Sequence, residues 1–232
     1  MNEDDVFPTL VNTLAVMTGS LVGLMFHNRL SLRFRTILFQ AIGLATLLIG
    51  LREALNTREI PLLALSLIAG ALLGEWINIE ERLKGAGEFI KHAFGQQTNP
   101  EFIDGFAAAS LLFCVGAMSV VGSFRAGVEG NGDILYTKSV LDGHAAIFLA
   151  GAMGAGVMAS ALSVLGFQGG LTLAFAAAGA GLPEYVIREV GAAGGLLIVG
   201  ISINLLDLGK VRVGNLLPAM LLAGILVWLK QG

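Results

Sequence analysis

Lys138, Ser139 and Asp142 stand close together at the mouth of an otherwise apolar run. A carboxylate inside a membrane span is expensive, so it pairs, caps a helix or faces a polar cavity. Two readings compete here. Ser139 or Asp142 caps a helix entering the membrane near Leu141, with Lys138 as counter-ion, or Asp142 is a cation or proton site. Glu75 follows an apolar run directly, next to Trp76 and close to Asn78. Its plainer reading is an interfacial anchor, with Trp76 at headgroup level and the carboxylate in water. Asn12, Gln168, Asn204 and Asn215 are uncharged polar residues within or at the ends of apolar runs, a placement that suits hydrogen bonds between helices better than ligand binding. Asn215-Leu216-Leu217-Pro218 also reads as a helix start, with Asn215 as the cap and Pro218 in the first turn. The substrate or ion candidates are therefore Asp142, Ser139, Lys138, Glu75, Gln168, Asn12, Asn204 and Asn215.

Other chemistries have no residues to carry them. His27, His92 and His144 belong to no HExxH or other metal-ligand spacing, and the chain has no G-x-S-x-G elbow. His27 and His92 fall in basic loops that water reaches, and His144 lies about 200° round a helix from Asp142. The glycine-dense stretch from Gly116 to Gly132 lacks the Gly-Lys-Ser/Thr of a nucleotide-binding loop. The single cysteine, Cys114, excludes an internal disulfide and a cysteine-cluster metal site. The expectation is no enzyme, no cofactor and no metal.

The elements that position these residues are membrane helices. Of 232 residues, 55% are hydrophobic and 13% charged, and mean hydropathy is +0.79; a water-soluble monomer could not cover so much apolar surface. A net charge of −3 offers no basic field for nucleic acid. About 20 apolar residues cross a bilayer. Runs of that order extend from Leu10 to Phe26, Ile37 to Leu51, Ile60 to Ile77, Phe102 to Phe124, Leu141 to Leu165, Ala192 to Leu208 and Leu216 to Leu229. A shorter run, Gly169 to Leu182, either crosses or re-enters, and the preferred reading is that it crosses. The fold expected is an all-α polytopic membrane bundle of seven or eight transmembrane helices, with eight preferred.

The start Met1-Asn2-Glu3-Asp4-Asp5 is acidic, unlike a cleaved signal. Arg29, Arg33 and Arg35 in the first loop and Arg82, Lys84 and Lys91 in the third place those loops in the cytoplasm and the N-terminus outside. Residues 78–101 read as a cytoplasmic amphipathic loop, with Leu83, Phe89, Ile90 and Phe94 among charges.

Gly19-xxx-Gly23, Gly70-xxx-Gly74 and Gly191-xxx-Gly195 each put two glycines on one helix face, where backbones approach closely in lipid as a bundle or homo-oligomer seam. Leu47–Leu51 resembles Leu197–Ile201, Leu67–Gly70 resembles Leu221–Gly224, and Thr13–Ala15 resembles Thr172–Ala174. Within a single membrane domain, 1–232, these matches suggest a 3+2+3 inverted repeat: 1–77, central spans 102–165, then 169–229. Such a plan is common among secondary transporters.

Phe113-Cys114-Val115-Gly116, Gly132-Asp133, Lys138-Ser139, Leu141-Asp142, Gln168, Gly194-Gly195-Leu196-Leu197 and Asn215-Leu216-Leu217-Pro218-Ala219 occur in the order and at the spacing of a known pattern. They resemble the uncharacterised bacterial membrane-protein family that includes YqgA and YdfK. The resemblance covers nearly the whole chain and implies a multi-pass protein of the bacterial inner membrane without known activity. The function expected is a secondary transporter or channel for a small solute or ion, with cation coupling through a carboxylate. The alternative is a non-transporting helical subunit or scaffold. The partners expected are the lipid bilayer, a small solute or ion, and further copies of the chain.

Overall fold

The computed structural model describes residues 6–27, 31–93, 102–115, 117–178 and 183–231. These form ten α-helices and no strand: α1 Phe7–His27, α2 Leu32–Ala54, α3 Ile60–Ile77, α4 Ile79–Ala93, α5 Phe102–Cys114, α6 Ala117–Glu129, α7 Asp133–Met153, α8 Gly156–Ala178, α9 Glu184–Leu205 and α10 Pro218–Gln231. A 3-10 turn, Val213–Leu216, precedes α10. Among the described residues, six segments are long and apolar enough to cross a membrane: α1, α2 from Thr36, α3, α8, α9, and Val213–Gln231. The pair α5–α6 passes the same test only when joined, and is bent by 57°. Their lipid-facing character shows in large apolar side chains that point outward, such as Leu48, Ile68, Leu72 and Leu221.

The helix ends follow local chemistry. Pro61 sits in the first turn of α3, where no backbone donor is needed. Asn78 closes that helix in the left-handed conformation (φ 57°), its N–H bonding the Glu75 carbonyl. The amphipathic segment is α4, with Glu80 and Glu81 in its first turn and Lys91 and His92 in its last, matching the helix dipole.

Two of the expected spans are drawn differently. The run Leu141 to Leu165 is not one helix: α7 ends at Met153, Gly154 takes φ 80°, and α8 begins at Gly156. A positive φ is open to glycine and poor for other residues, so Gly154 is where the chain can turn. Gly169 and Gly170, expected to start a short span, lie within α8; Gly179–Leu182 lie outside the described residues. The run Phe102 to Phe124 is likewise two helices meeting at a break after Val115.

The chain divides into two compact units that interleave along the sequence. The first comprises residues 1–42, 84–114 and 118–181, hence α1 and α5 to α8. In it α1 and α7 run side by side in the same direction, with Pro8 at Gly132 and His27 at Gly151. A Cβ added to Gly19 or Gly23 would collide with the carbonyls of Gly143 or Ile147. α5 follows α8 in parallel, from Phe102 at Gly156 to the Ser110–Ser163 hydrogen bond of 2.9 Å. Phe102, Phe106 and Ala159 form a small core on which Ile90 of α4 packs.

The second unit comprises 43–83, 115–117 and 182–232. There α3 and α10 are antiparallel: Gly70 meets the backbone of Ala219, and Gly74 that of Asn215. Gly195 of α9 meets Gly50 and Ala54 at the end of α2, and Gly191 is buried. The segments matched in sequence thus lie on neighbouring helices, and two of the pairs, α2 with α9 and α3 with α10, run in opposite directions. An inverted repeat requires that arrangement, but any up-and-down bundle produces it too.

Candidate functional site: a buried ion pair and its amide partners

Within the first unit, α7 carries Lys138 and Asp142 one turn apart, and the Lys138 ammonium donates to Asp142 Oδ2. Their side chains are only 7% and 13% exposed. Asn12 Nδ2, from α1, donates to the same Asp142 oxygen at 3.0 Å and to Gln168 Oε1, from α8, at 3.1 Å. Gln168 Nε2 in turn donates to Thr9 Oγ1 at 3.1 Å. Thr9, Asn12 and Gln168 are buried. Bridging two acceptors fixes which way the Asn12 amide faces, and its Oδ1 is left buried with no donor. Two charges out of water attract strongly only where the remaining lone pairs and protons are also satisfied. Here that satisfaction is incomplete.

The broken helix lies beside this network. Ser123 of α6 donates to the Gln168 carbonyl at 3.2 Å, and Ser119 reaches back to the Phe113 carbonyl near the end of α5 at 3.1 Å. Lys138 and Asp142 both act electrostatically on the Cys114 thiol, the last residue of α5. Interrupted helices place unpaired backbone groups at a site's edge, as they do at substrate sites of many transporters.

Ser139 takes no part, because its hydroxyl bonds the Leu135 carbonyl of its own helix. The capping reading of Ser139 and Asp142 fails: α7 begins at Asp133, well over one turn before Ser139 and more than two before Asp142, so both residues are interior to it. Water does not surround His27, whose Nδ1 lies 3.0 Å from the Gly151 carbonyl at the α1–α7 seam. His144 is exposed and turns to the Val140 carbonyl.

A second polar group occupies the second unit. Glu75 accepts from Arg212 Nη1 at 2.5 Å and from Asn215 Nδ2 at 2.6 Å. Asn215 Oδ1 accepts from the Glu80 backbone N–H at 2.7 Å, and Glu80 Oε2 accepts from Gly214 N–H at 2.8 Å. Asn215 therefore caps the start of α4 rather than α10, against the sequence expectation. Its backbone is pinned under Gly74, which places its side chain over the end of α3. Trp76 is exposed, as an interfacial anchor would be. Asn204 stands apart and pins the Val211 backbone with both amide atoms, at 2.8 and 2.7 Å.

The family described as "Protein of unknown function (DUF554)" matches residues 7–228. This chain belongs to that family. It is 31% identical over 228 residues to "Uncharacterized membrane protein YdfK" of Bacillus subtilis (strain 168), covering 96% of each chain. It is 31% identical over 225 residues to "Uncharacterized protein YqgA" of Escherichia coli (strain K12), covering 94% of each. No solved structure matches. The chain is thus a multi-pass membrane protein of a family whose named relatives are uncharacterised.

One buried carboxylate of this DUF554 chain escaped the sequence reading. Glu189 of α9 is 2% exposed. It accepts from the Thr57 hydroxyl and, at 3.0 Å, from the Arg58 N–H in the α2–α3 link. Arg188-Glu189 before an apolar run looks like an ordinary charged span end. The only local sign was a carboxylate two residues before Gly191, in the helix whose Gly195 packs tightly on α2.

Proposed function

We propose that this protein is a secondary transporter or channel for a small solute or ion, coupled to a cation, in the bacterial cytoplasmic membrane. The observation that carries this reading is the Lys138–Asp142 pair, buried among apolar helices and held by the Asn12 amide of α1, which is itself bonded to Gln168 of α8. Ionisable groups kept at membrane depth mark ion or substrate paths, and the neighbouring break between α5 and α6 strengthens the case. The scaffold reading draws on the same network, since Asn12 and Gln168 each bond across helices as structural glue does.

One substitution separates the two. Asp142→Asn preserves shape and an acceptor oxygen but leaves the Lys138 ammonium without its carboxylate, so flux is scored together with thermal unfolding in detergent and counts only for a folded variant. In liposomes screened against ions and small solutes, the transport reading requires flux in the wild type and a fall of at least ~10-fold in the variant. Wild-type flux in Asp142→Asn removes Asp142 from the mechanism, and no flux with any solute favours the scaffold.

The orientation belongs to the same proposal. With α1, α2, α3, the bent α5–α6 pair, α7, α8, α9 and α10 each crossing once, both termini lie outside and the arginine-rich link after α1 inside. In a Cys114-free background, Asn2→Cys should label in intact cells and Ser31→Cys should not. The reverse pattern overturns the orientation.

A further inference from the structure

Thr9, Thr13, Val16 and Ser20 recur along α1 at helical spacing, so they share one face. All four are buried. Thr9 accepts from Gln168, which turns that face toward α8, a helix on which α1 packs. Further round the same helix, Leu10, Leu14, Met17 and Leu21 are exposed where lipid would lie. Asn12 stands at the edge of the buried face, bonded to Asp142 of α7 and to Gln168 of α8. The helix is therefore polar inside and apolar outside.

Among the described residues, two buried side-chain atoms have no hydrogen-bond partner, and both belong to α1: Asn12 Oδ1 and Ser20 Oγ. For Ser20 that state is avoidable. A hydroxyl on a helix can bond the carbonyl one turn back, as Thr13, Ser66, Ser139 and Thr172 do at 2.7 to 2.9 Å. Ser20 forgoes this bond to the Val16 carbonyl. Asn12 has no such choice, because its Nδ2 is committed to Asp142 and Gln168 and fixes where Oδ1 points. An unmade hydrogen bond inside a membrane is costly, and each oxygen calls for a partner that the protein does not supply. Water suits both, since it donates to a carbonyl and serves a hydroxyl in either sense. A larger ligand suits them poorly, because Gly19 and Gly23 on the adjoining face bring the α7 backbone into contact with α1.

We infer that α1 binds internal water at Asn12 and at Ser20, and that this face forms a hydrated path from the Lys138–Asp142 pair toward the His27 end of the helix. The two sites lie about 12 Å apart along the axis, eight residues at 1.5 Å each. Val16 stands between them as the apolar member of the face. The path rests on the transport reading for its purpose and deepens it by naming the wall along which the buried pair is reached from water.

The test uses full-length protein in liposomes, in a Cys114→Ala background, with one cysteine introduced at a time. Thr13→Cys and Ser20→Cys lie on the proposed path. Leu14→Cys and Leu21→Cys are their controls, one residue on, at nearly the same depth and about 100° round the helix. The probe is methyl methanethiosulfonate, which a thiolate attacks and a thiol in hydrocarbon does not, so both path positions should react at least ~10-fold faster than their controls. If Ser20→Cys reacts no faster than Leu21→Cys, the path is overturned. Should the path variants fail to fold, NMR of the wild type in lipid decides: magnetisation should pass from water to the Asn12 and Ser20 side chains, and its absence at both overturns the inference. Fast labelling without liposome flux of any solute leaves the hydrated face standing and removes the transport reading. Flux without that labelling does the reverse.

Discussion

Lys138–Asp142 in one unit and Arg212–Glu75 in the other are built from the same parts. Each sets a basic group on a carboxylate that also accepts from an asparagine, Asn12 in the first case and Asn215 in the second. Each asparagine belongs to a helix or turn involved in a glycine seam. What separates them is water. The side chains of Arg212 and Glu75 are 66% and 56% exposed, against 7% and 13% for Lys138 and Asp142. In water such a pair gains little, because solvent screens it and two long side chains must be held still. Away from water, the same pair is costly to install and far more costly to leave half complete. Chemical likeness therefore says little about function, and burial says much.

That contrast can be broken most directly by removing the basic partner. Lys138→Met should destabilise by about 3–5 kcal/mol, leaving a buried carboxylate unpaired. Arg212→Met should lose far less, because water screens the exposed pair. Thermal unfolding in detergent measures both, and equal losses would remove the distinction. The double variant Lys138→Met with Asp142→Leu should recover most of the first loss, since an apolar pair of similar volume is often neutral.

The glycine seams sharpen the comparison by behaving alike where the ion pairs differ. Gly19→Ala in α1 and Gly74→Ala in α3 each drive a methyl group into a neighbouring backbone carbonyl, and each should destabilise by about 1–3 kcal/mol. Gly166→Ala in α8 meets nothing within 4 Å. It should be neutral or stabilising by up to about 1 kcal/mol, through helix propensity. The smallest effect is salt sensitivity. Raising ionic strength from about 0.01 to 1 M should erase most of the Arg212 contribution and little of the Lys138 one, because screening reaches exposed charges first.

The helical membrane character, the amphipathic α4 and the glycine seams were legible because each is a matter of local composition and period. Boundaries inside apolar stretches were not. The turn at Gly154 lies among residues as apolar as the helices it separates, whereas Gln168-Gly169-Gly170 is polar yet helical, because Thr9 and Asn12 satisfy the Gln168 amide. The break after Val115 is hidden in the same way. Candidate residues were legible by type, but their meetings were not: Asn12 and Gln168 stand 156 positions apart, and nothing local announces that they share a hydrogen bond. The capping reading of Asp142 failed because hydropathy starts α7 where the charges stop, whereas the backbone starts it where Asn131 accepts from the Asp133 N–H at 2.9 Å.

The parallel pairing of α1 with α7 has a consequence for biogenesis. His27 and the Gly151 carbonyl it meets are 124 residues apart, so at roughly 5–20 residues per second the ribosome needs about 6 to 25 s to supply the partner. α8, which brings Gln168, comes later still. Throughout that interval Asn12 and the Gly19–Gly23 face sit in the bilayer without their native neighbours. A chain truncated before Asp133 should therefore leave α1 open to capture by any other helix with a polar or small-residue face, and the order of synthesis exposes this seam for longer than the α3–α4 junction, whose residues emerge together.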